Sequence, residues 1–175
     1  MQLFVLSSLV SAADQTSDTT SFISHLASQY QSVWKKIPQD FTRKMKDAII
    51  DRKVTYNDVA NLTASAIDGF NTLRAAGFSF PDALELQRDF GSPDTTAKET
   101  SVKLPLGVPT YYLPQWNKVP ESLQTKLANA INTKKISPSD LADCIGAAHR
   151  GAALLTSIGF SFDDAVELEG DLGQQ

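Results

Sequence analysis

The chain is poor in three features that would narrow its class at once. Its 175 residues include a single cysteine, Cys144, so no internal disulfide can form and stability must come from packing or assembly. We interpret Cys144 as a small buried apolar residue, with a reactive or dimer-forming thiol as the alternative. No apolar run approaches the ~20 residues that a membrane-spanning helix needs, so we expect no membrane span.

The third missing feature is an excess of basic charge. The net charge is -4 and the pI is about 5.1, which gives no general attraction to nucleic acid, and we expect no nucleic-acid partner. Catalytic patterns are missing as well, because the two histidines belong to no HExxH, paired Cys–His or serine-triad arrangement. No glycine-rich phosphate loop occurs either. We predict a protein that is not an enzyme, with no catalytic residue and no cofactor.

The N-terminus carries a pattern typical of export. Residues 1–10 are mostly apolar, and Ser11, Ala12 and Ala13 follow as small residues suited to a signal peptidase. We predict that residues 1–13 are a signal peptide and that the protein is secreted to an extracellular location. The alternative is an ordinary buried N-terminal segment. The triplet that begins at Asn61 is a glycosylation sequon, which makes Asn61 a candidate glycosylation site.

An internal repeat is the clearest positive feature of the sequence. A shift of 82 residues aligns Trp34 with Trp116, and 22 of the 59 aligned pairs in 34–92 and 116–174 are identical. The longest block begins with Gly-Phe-Ser-Phe at Gly77 and again at Gly159. We predict a tandem duplication, with helical repeat 1 at 34–92 and helical repeat 2 at 116–174.

The two copies each predict three helices. In the first copy, apolar residues recur at helical spacing after Pro38, again after the Thr55 cap, and again after the Ser79 cap. Glycine at 77 and 159 is expected to end the second helix of each copy with a positive φ. The predicted fold class is therefore all-α, with two tandem-duplicated three-helix units.

The remaining segments are predicted to support these units. Residues 14–33 are expected to hold an additional N-terminal helix packed on the first repeat, because 18–33 has an amphipathic pattern. Residues 93–115 are predicted to be an extended, proline-containing linker, in which 102–115 forms an apolar strap over a helical surface. The alternative for 102–115 is an exposed proline-rich docking segment.

Two sets of residues are candidates for a binding site. Small residues on the second helix of each copy would allow close helix approach or leave a cavity, and a tryptophan precedes the first helix of each copy. The ligand-binding candidates are Trp34, Trp116, Ala66, Gly69, Ala148 and Gly151. The alternative for both tryptophans is an anchor of the chain in the core.

Acidic residues on the third helix of each copy form the second set. Their spacing puts them on one helical face, where we favour a solvated surface and no metal, with a divalent-cation or basic-partner site as the alternative. The candidates are Asp82, Glu85, Asp89, Asp164, Glu167 and Asp171.

These observations favour a secreted, non-enzymatic helical binding protein for a hydrophobic small molecule or lipid. The support is the predicted export, the lack of visible chemistry, and small residues flanked by aromatic ones. The alternative is a secreted protein–protein interaction module, such as an effector, antigen or structural protein. Such a module would act through the acidic helix faces or the proline-rich strap.

Overall fold

A computed structural model describes residues 20–93 and 100–174 of the chain, and every regular element in those residues is helical. The all-α prediction is confirmed for this part of the protein. None of the described helices is long and apolar enough to cross a membrane. The predicted signal peptide, residues 1–13, and the linker residues 94–99 lie outside the described residues.

The helices differ widely in length. In chain order they are α1 (Ser28–Lys35), α2 (Gln39–Ile50), α3 (Tyr56–Ala75), α4 (Phe80–Gly91), α5 (Leu113–Trp116), α6 (Glu121–Asn132), α7 (Pro138–Ser157) and α8 (Phe162–Gly173). Residues 20–24 are also helical, and Thr110–Tyr112 form a 3-10 turn. Helices α2, α3 and α4 have 12, 20 and 12 residues, and so do α6, α7 and α8.

Side-chain caps begin the long helices where the sequence predicts them. The Ser137 hydroxyl accepts from the Asp140 amide at 3.0 Å, and the Asp140 carboxylate accepts from the Ser137 amide at 3.2 Å. Thr55 and Asp58 exchange the same pair of bonds at the start of α3. Each pair satisfies two backbone donors that a helix start would otherwise leave unpaired. At the starts of α4 and α8 the hydroxyls of Ser79 and Ser161 accept from the amides of Asp82 and Asp164, which is one of these two bonds.

The turns between helices use left-handed backbone conformations. Gly77 and Gly159 have φ values of 96° and 110°, so the predicted positive φ after α3 and α7 is confirmed. Arg52 and Lys134 both have φ 61° without being glycine. Arg52 lies just after the end of α2, and Lys134 lies just after the end of α6. At the other end of these two helices, Pro38 and Pro120 directly precede the first helical residue. Each proline has an extended conformation and occupies the cap position, not the first helical turn.

The chain divides into two compact units, residues 1–61 and 62–175. In the described part of the first unit, Trp34 is fully buried and its ring meets Phe22 edge to face at 5.4 Å. Phe22 also stacks on Tyr56, with ring centroids 5.8 Å apart. Met45 and Ala48 of α2 are buried in the same unit. Such contacts between large apolar side chains and rings stabilise a small core beyond the area they bury.

In the second unit, α4 packs against α7, and α8 contacts both helices. The core of this unit combines apolar residues of α3, α4, α6 and α7 with Trp116. Its largest fully buried side chains are Trp116, Phe70, Phe90, Leu73, Leu86, Leu127, Leu141, Ile145 and Leu155.

The N-terminal segment differs from the prediction of one continuous helix over 18–33, which is wrong. The helix over 20–24 ends in a turn, Ala27 is extended with ψ 144°, and α1 begins at Ser28. Side chains next to the turn bond to the backbone in place of helical partners. The Ser24 hydroxyl donates to the Ser21 carbonyl at 2.7 Å, and the Gln31 amide donates to the Leu26 carbonyl at 3.0 Å.

The segment 102–115 is only partly the extended strap that its prolines predict. Pro109 precedes the 3-10 turn, and Pro114 lies in the first turn of α5. The expectation that prolines keep this segment extended is therefore wrong at 113–116. Proline fits the first turn of a helix, because a residue there does not need to donate a backbone hydrogen bond within the helix. Val108 is buried against the core, whereas Leu106 is 95% exposed. The segment covers the core with some side chains and presents others to solvent.

Candidate functional site

Both predicted ligand-binding tryptophans lie inside the cores of their units. Trp34 and Trp116 have no exposed surface, and the Trp116 indole N–H donates to the Val102 carbonyl at 2.9 Å. A buried indole that has found a hydrogen-bond partner is what a core anchor requires. A role for either tryptophan as the wall of a ligand pocket stays a prediction.

The predicted small residues lie at close helix contacts, with one exception. Ala66 and Ala148 are buried, and a Cβ built at Gly151 would overlap the Glu169 carboxylate and lie 3.1 Å from Leu62 Cδ1. Atoms of neighbouring helices therefore occupy the space around these three residues. Gly69 is the exception, because a Cβ built there would meet nothing within 4 Å.

Gly69 lines a polar groove of about 330 Å³ between α3 and α7. Its other walls include Asp68, Thr72, Asp143, Arg150 and Cys144. Burial raises the pKa of the Cys144 thiol to about 12, and the charges of Asp140 and Asp143 add to the rise. A raised pKa favours the protonated thiol near neutral pH, which fits its interpretation as a small buried residue.

A second, more apolar groove of about 410 Å³ lies beside α7. Its walls include Gly91, Pro93, His149, Ala152, Ala153 and Phe162. The Thr156 hydroxyl also borders the groove but donates to the Ala152 carbonyl at 2.9 Å, which leaves little free polarity there. His149 is the one titratable side chain among these walls, and its Nδ1 is buried without a hydrogen-bond partner. We call this feature the apolar groove.

The acidic candidates are spread along two helices. Asp82 lies 3.8 Å from Lys126, and Glu85 and Glu167 are exposed. Asp164 follows the Ser161 cap, with its amide donating to the serine hydroxyl at 3.1 Å. Within the part of the chain that the structure describes, no three His, Cys, Asp or Glu side chains converge as a metal ion would need.

Two of these acids differ from the solvated face that their spacing predicts. Burial, followed by the charge of Glu85, raises the pKa of Asp89 to about 7, and Arg88 and Lys118 partly oppose this rise. One Asp89 carboxylate oxygen is buried without a hydrogen-bond partner. Burial and the charge of Glu167 also raise the pKa of Asp171. Part of each acidic face is therefore turned toward neighbouring helices.

The most buried acid was not predicted from the sequence. Glu169 is 1% exposed, and its carboxylate accepts a hydrogen bond of 3.1 Å from the Gln87 amide. Burial raises the Glu169 pKa to about 8, although the Gln87 hydrogen bond opposes the rise. The available signal was helical spacing, because Glu169 stands four residues after the buried Ala165. Gln87 stands four residues after Ala83 in the same way.

Asn61 is exposed on α3, whereas Thr63 of the same sequon is fully buried. Glycosylation at Asn61 stays a prediction. No family model, no curated protein and no solved structure is significantly similar to this chain.

Proposed function

We propose that this chain is a secreted, non-enzymatic binding protein whose ligand is a hydrophobic small molecule held in the apolar groove. The observation that carries the proposal is the groove itself, with a volume of about 410 Å³ and walls of glycine, alanine, proline and phenylalanine. Ligand sites are commonly about 300–1,000 Å³, mostly apolar, with few polar groups. The groove falls within that range and has that character.

The walls favour an elongated or flat apolar ligand with one polar group. Gly91 and Ala152 are small and buried and bring no polar side-chain group to the groove, and Phe162 supplies an aromatic wall. Of the two ring nitrogens of His149, Nδ1 is shielded, which leaves Nε2 for a polar ligand atom. A fatty acid or an aromatic acid combines these features.

Tandem duplication is part of the same proposal. Three observations support it: the 22 identities in 59 aligned pairs, the equal helix lengths, and helix starts that differ by 82 residues. The hydrogen bond between Gln87 and Glu169 joins residues that are also 82 apart. Secretion is supported by the sequence pattern of residues 1–13 alone.

Displacement of a fluorescent probe tests the ligand proposal. Dansyl-labelled undecanoic acid is titrated into the full chain, and we expect bound-probe fluorescence that unlabelled fatty acid competes away. Ala153→Trp, at an exposed groove position, should weaken binding by about tenfold or more, which corresponds to ~1.4 kcal/mol. Ala75→Trp is the matched control at an exposed helical alanine outside the groove walls, and it should bind as the unmodified chain does.

Absence of probe binding, or equal binding by Ala153→Trp and the unmodified chain, would remove the ligand proposal. The second candidate, a protein-interaction module, would then take its place. One observation favours it: Leu106 is 95% exposed and Tyr111 71% exposed on the proline-containing segment. Apolar side chains on the surface are available for contact with a partner. Leu106→Ser with Tyr111→Ser should then abolish association with a partner without loss of stability.

A further inference from the structure

The contact between α4 and α8 contains a carboxyl group without a cation. Glu169 is 1% exposed and Gln87 is 6% exposed, and the bond between Gln87 Nε2 and Glu169 Oε2 measures 3.1 Å. A buried carboxylate normally needs a paired cation or several hydrogen-bond donors. Glu169 has one neutral amide donor, so its buried form favours the protonated acid.

Helix α7 also packs against the Glu169–Gln87 contact. Gly151 of α7 faces the Glu169 carboxylate so closely that a Cβ there would overlap it, and Leu62 of α3 lies beside the same glycine. The helices α3, α4, α7 and α8 therefore meet around one titratable group.

Charged residues of the surrounding helices do not compensate the carboxylate. Arg88 of α4 instead forms an ion pair of 2.8 Å with the exposed Asp163. The other titratable groups within two residues of the contact, or one turn along α8, are Glu85 and Asp89 on α4, His149 and Arg150 on α7, and Glu167 and Asp171 on α8. None of these groups contributes to the Glu169 pKa, which burial and Gln87 determine.

We propose that the Glu169–Gln87 contact is a pH-sensitive joint, in which the protonated carboxyl holds α8 against α4 and α7 and its ionisation loosens α8. The inference is independent of the ligand proposed above. It concerns helix packing, and its tests need no ligand.

The direction of the pH effect follows from the raised pKa of Glu169. An unfolded glutamate has a pKa near 4.5, and the folded chain keeps this proton until about pH 8. The contribution to stability is therefore complete below about pH 4.5 and is lost as the pH rises toward 8. Asp89, with its pKa raised to about 7, acts in the same direction in an overlapping range. The Glu169 effect must therefore be isolated by substitution.

Chemical unfolding of the full chain from about pH 5 to about pH 9 tests this joint. The unmodified chain should show an unfolding midpoint that decreases with rising pH. Glu169→Gln keeps the size of the side chain and cannot ionise, so it should lose most of that decrease and be the more stable protein at high pH. Glu167→Gln, an exposed position on the same helix, should keep the Glu169 part of the decrease and lose only the small part that the Glu167 charge adds through Asp171.

A second measurement needs no variant. The Glu169 side-chain carbonyl carbon, followed by NMR in the unmodified chain, should titrate several pH units above an ordinary glutamate. Amide exchange in α8, corrected for its intrinsic pH dependence, should be about tenfold or more faster at high pH than at low pH, equivalent to ~1.4 kcal/mol. Glu169→Gln should remove this acceleration. Titration of Glu169 at an ordinary value, or equal midpoint decreases in Glu169→Gln and the unmodified chain, would overturn the proposal.

Discussion

The helix pairs α3–α4 and α7–α8 have the same lengths but place different polar groups in the core. Both pairs contain a helix of 20 residues followed by one of 12, with a positive-φ glycine and a serine cap between them. At the contact between the pairs, α4 contributes the neutral Gln87 and α8 contributes the ionisable Glu169. On the proposal above, this single difference adds pH dependence to the contact between the two pairs.

Glycine contacts show a second difference between the pairs. A Cβ at Gly91 of α4 would lie 3.1 Å from the Ala152 Cβ of α7, and a Cβ at Gly173 of α8 would overlap the Phe70 ring of α3. Ala152 and Phe70 are 82 residues apart, as are the two glycines. The same contact is therefore made twice, once with a small partner and once with a large one. The second version leaves less space.

Loss of core leucines should give the largest effect and tests whether the pairs share one packing pattern. Leu73 is 1% exposed and Leu155 is fully buried. Leu73→Ala and Leu155→Ala should each lower the free energy of unfolding by about 2–5 kcal/mol, because each removes buried apolar volume and leaves a cavity. Urea unfolding measures both. Values near zero at both positions would mean that the apolar faces of α3 and α7 have been assigned wrongly.

Alanine at the two glycines should separate the tight contact from the looser one. Gly173→Ala should cost about 1–3 kcal/mol, because the Phe70 ring is buried and has to move. Gly91→Ala should cost less, since its closest neighbours lie at 3.1 Å. Thermal unfolding of the two variants shows which substitution is the more destabilising. Phe70→Leu combined with Gly173→Ala should cost less than the sum of the two single changes, and additive costs would contradict the overlap.

Loss of the serine caps should affect both pairs equally. Ser79→Ala and Ser161→Ala each remove the acceptor for the amide three residues later. Each substitution should lower the free energy of unfolding by about 1 kcal/mol, because one backbone amide at the helix start loses its hydrogen-bond acceptor. Chemical unfolding checks the two values. If the two losses of unfolding free energy differ by more than about 1 kcal/mol, the two caps are not equivalent.

Asp89→Asn should have an effect confined to one pH range, and it refines the pH comparison. The pKa of Asp89 is raised to about 7 from 3.8, so its stabilising contribution is lost as the pH rises between these values. The asparagine variant should show a weaker decrease of stability over that range, by a smaller amount than Glu169→Gln. Unfolding midpoints at several pH values measure it. Glu85→Gln should lower the Asp89 pKa, because Glu85 raises it; an unchanged Asp89 titration would contradict this assignment.

Much of the helical framework could be predicted from the sequence, because caps and apolar spacing are local signals. Ser137 with Asp140 and Gly159 each mark a helix end within a few residues. The break before Ser28 could not be predicted, because it depends on side chains such as Gln31 that bond to the backbone only after folding. The buried Glu169 contact and the apolar groove were harder to predict than the helices. Burial of Glu169 and the apolar groove arise from contacts between helices distant in sequence, which periodicity alone does not reveal.

The burial of both tryptophans provides each unit with its own intrinsic optical reporter. The chain has two tryptophans, Trp34 in the first unit and Trp116 in the second, and neither has exposed surface. Indole emission shifts to longer wavelength when water reaches the ring. In Trp34→Phe the remaining fluorescence follows residues 62–175, and in Trp116→Phe it follows residues 1–61. Two single-tryptophan proteins can therefore tell whether the units melt together or in succession, without any added dye.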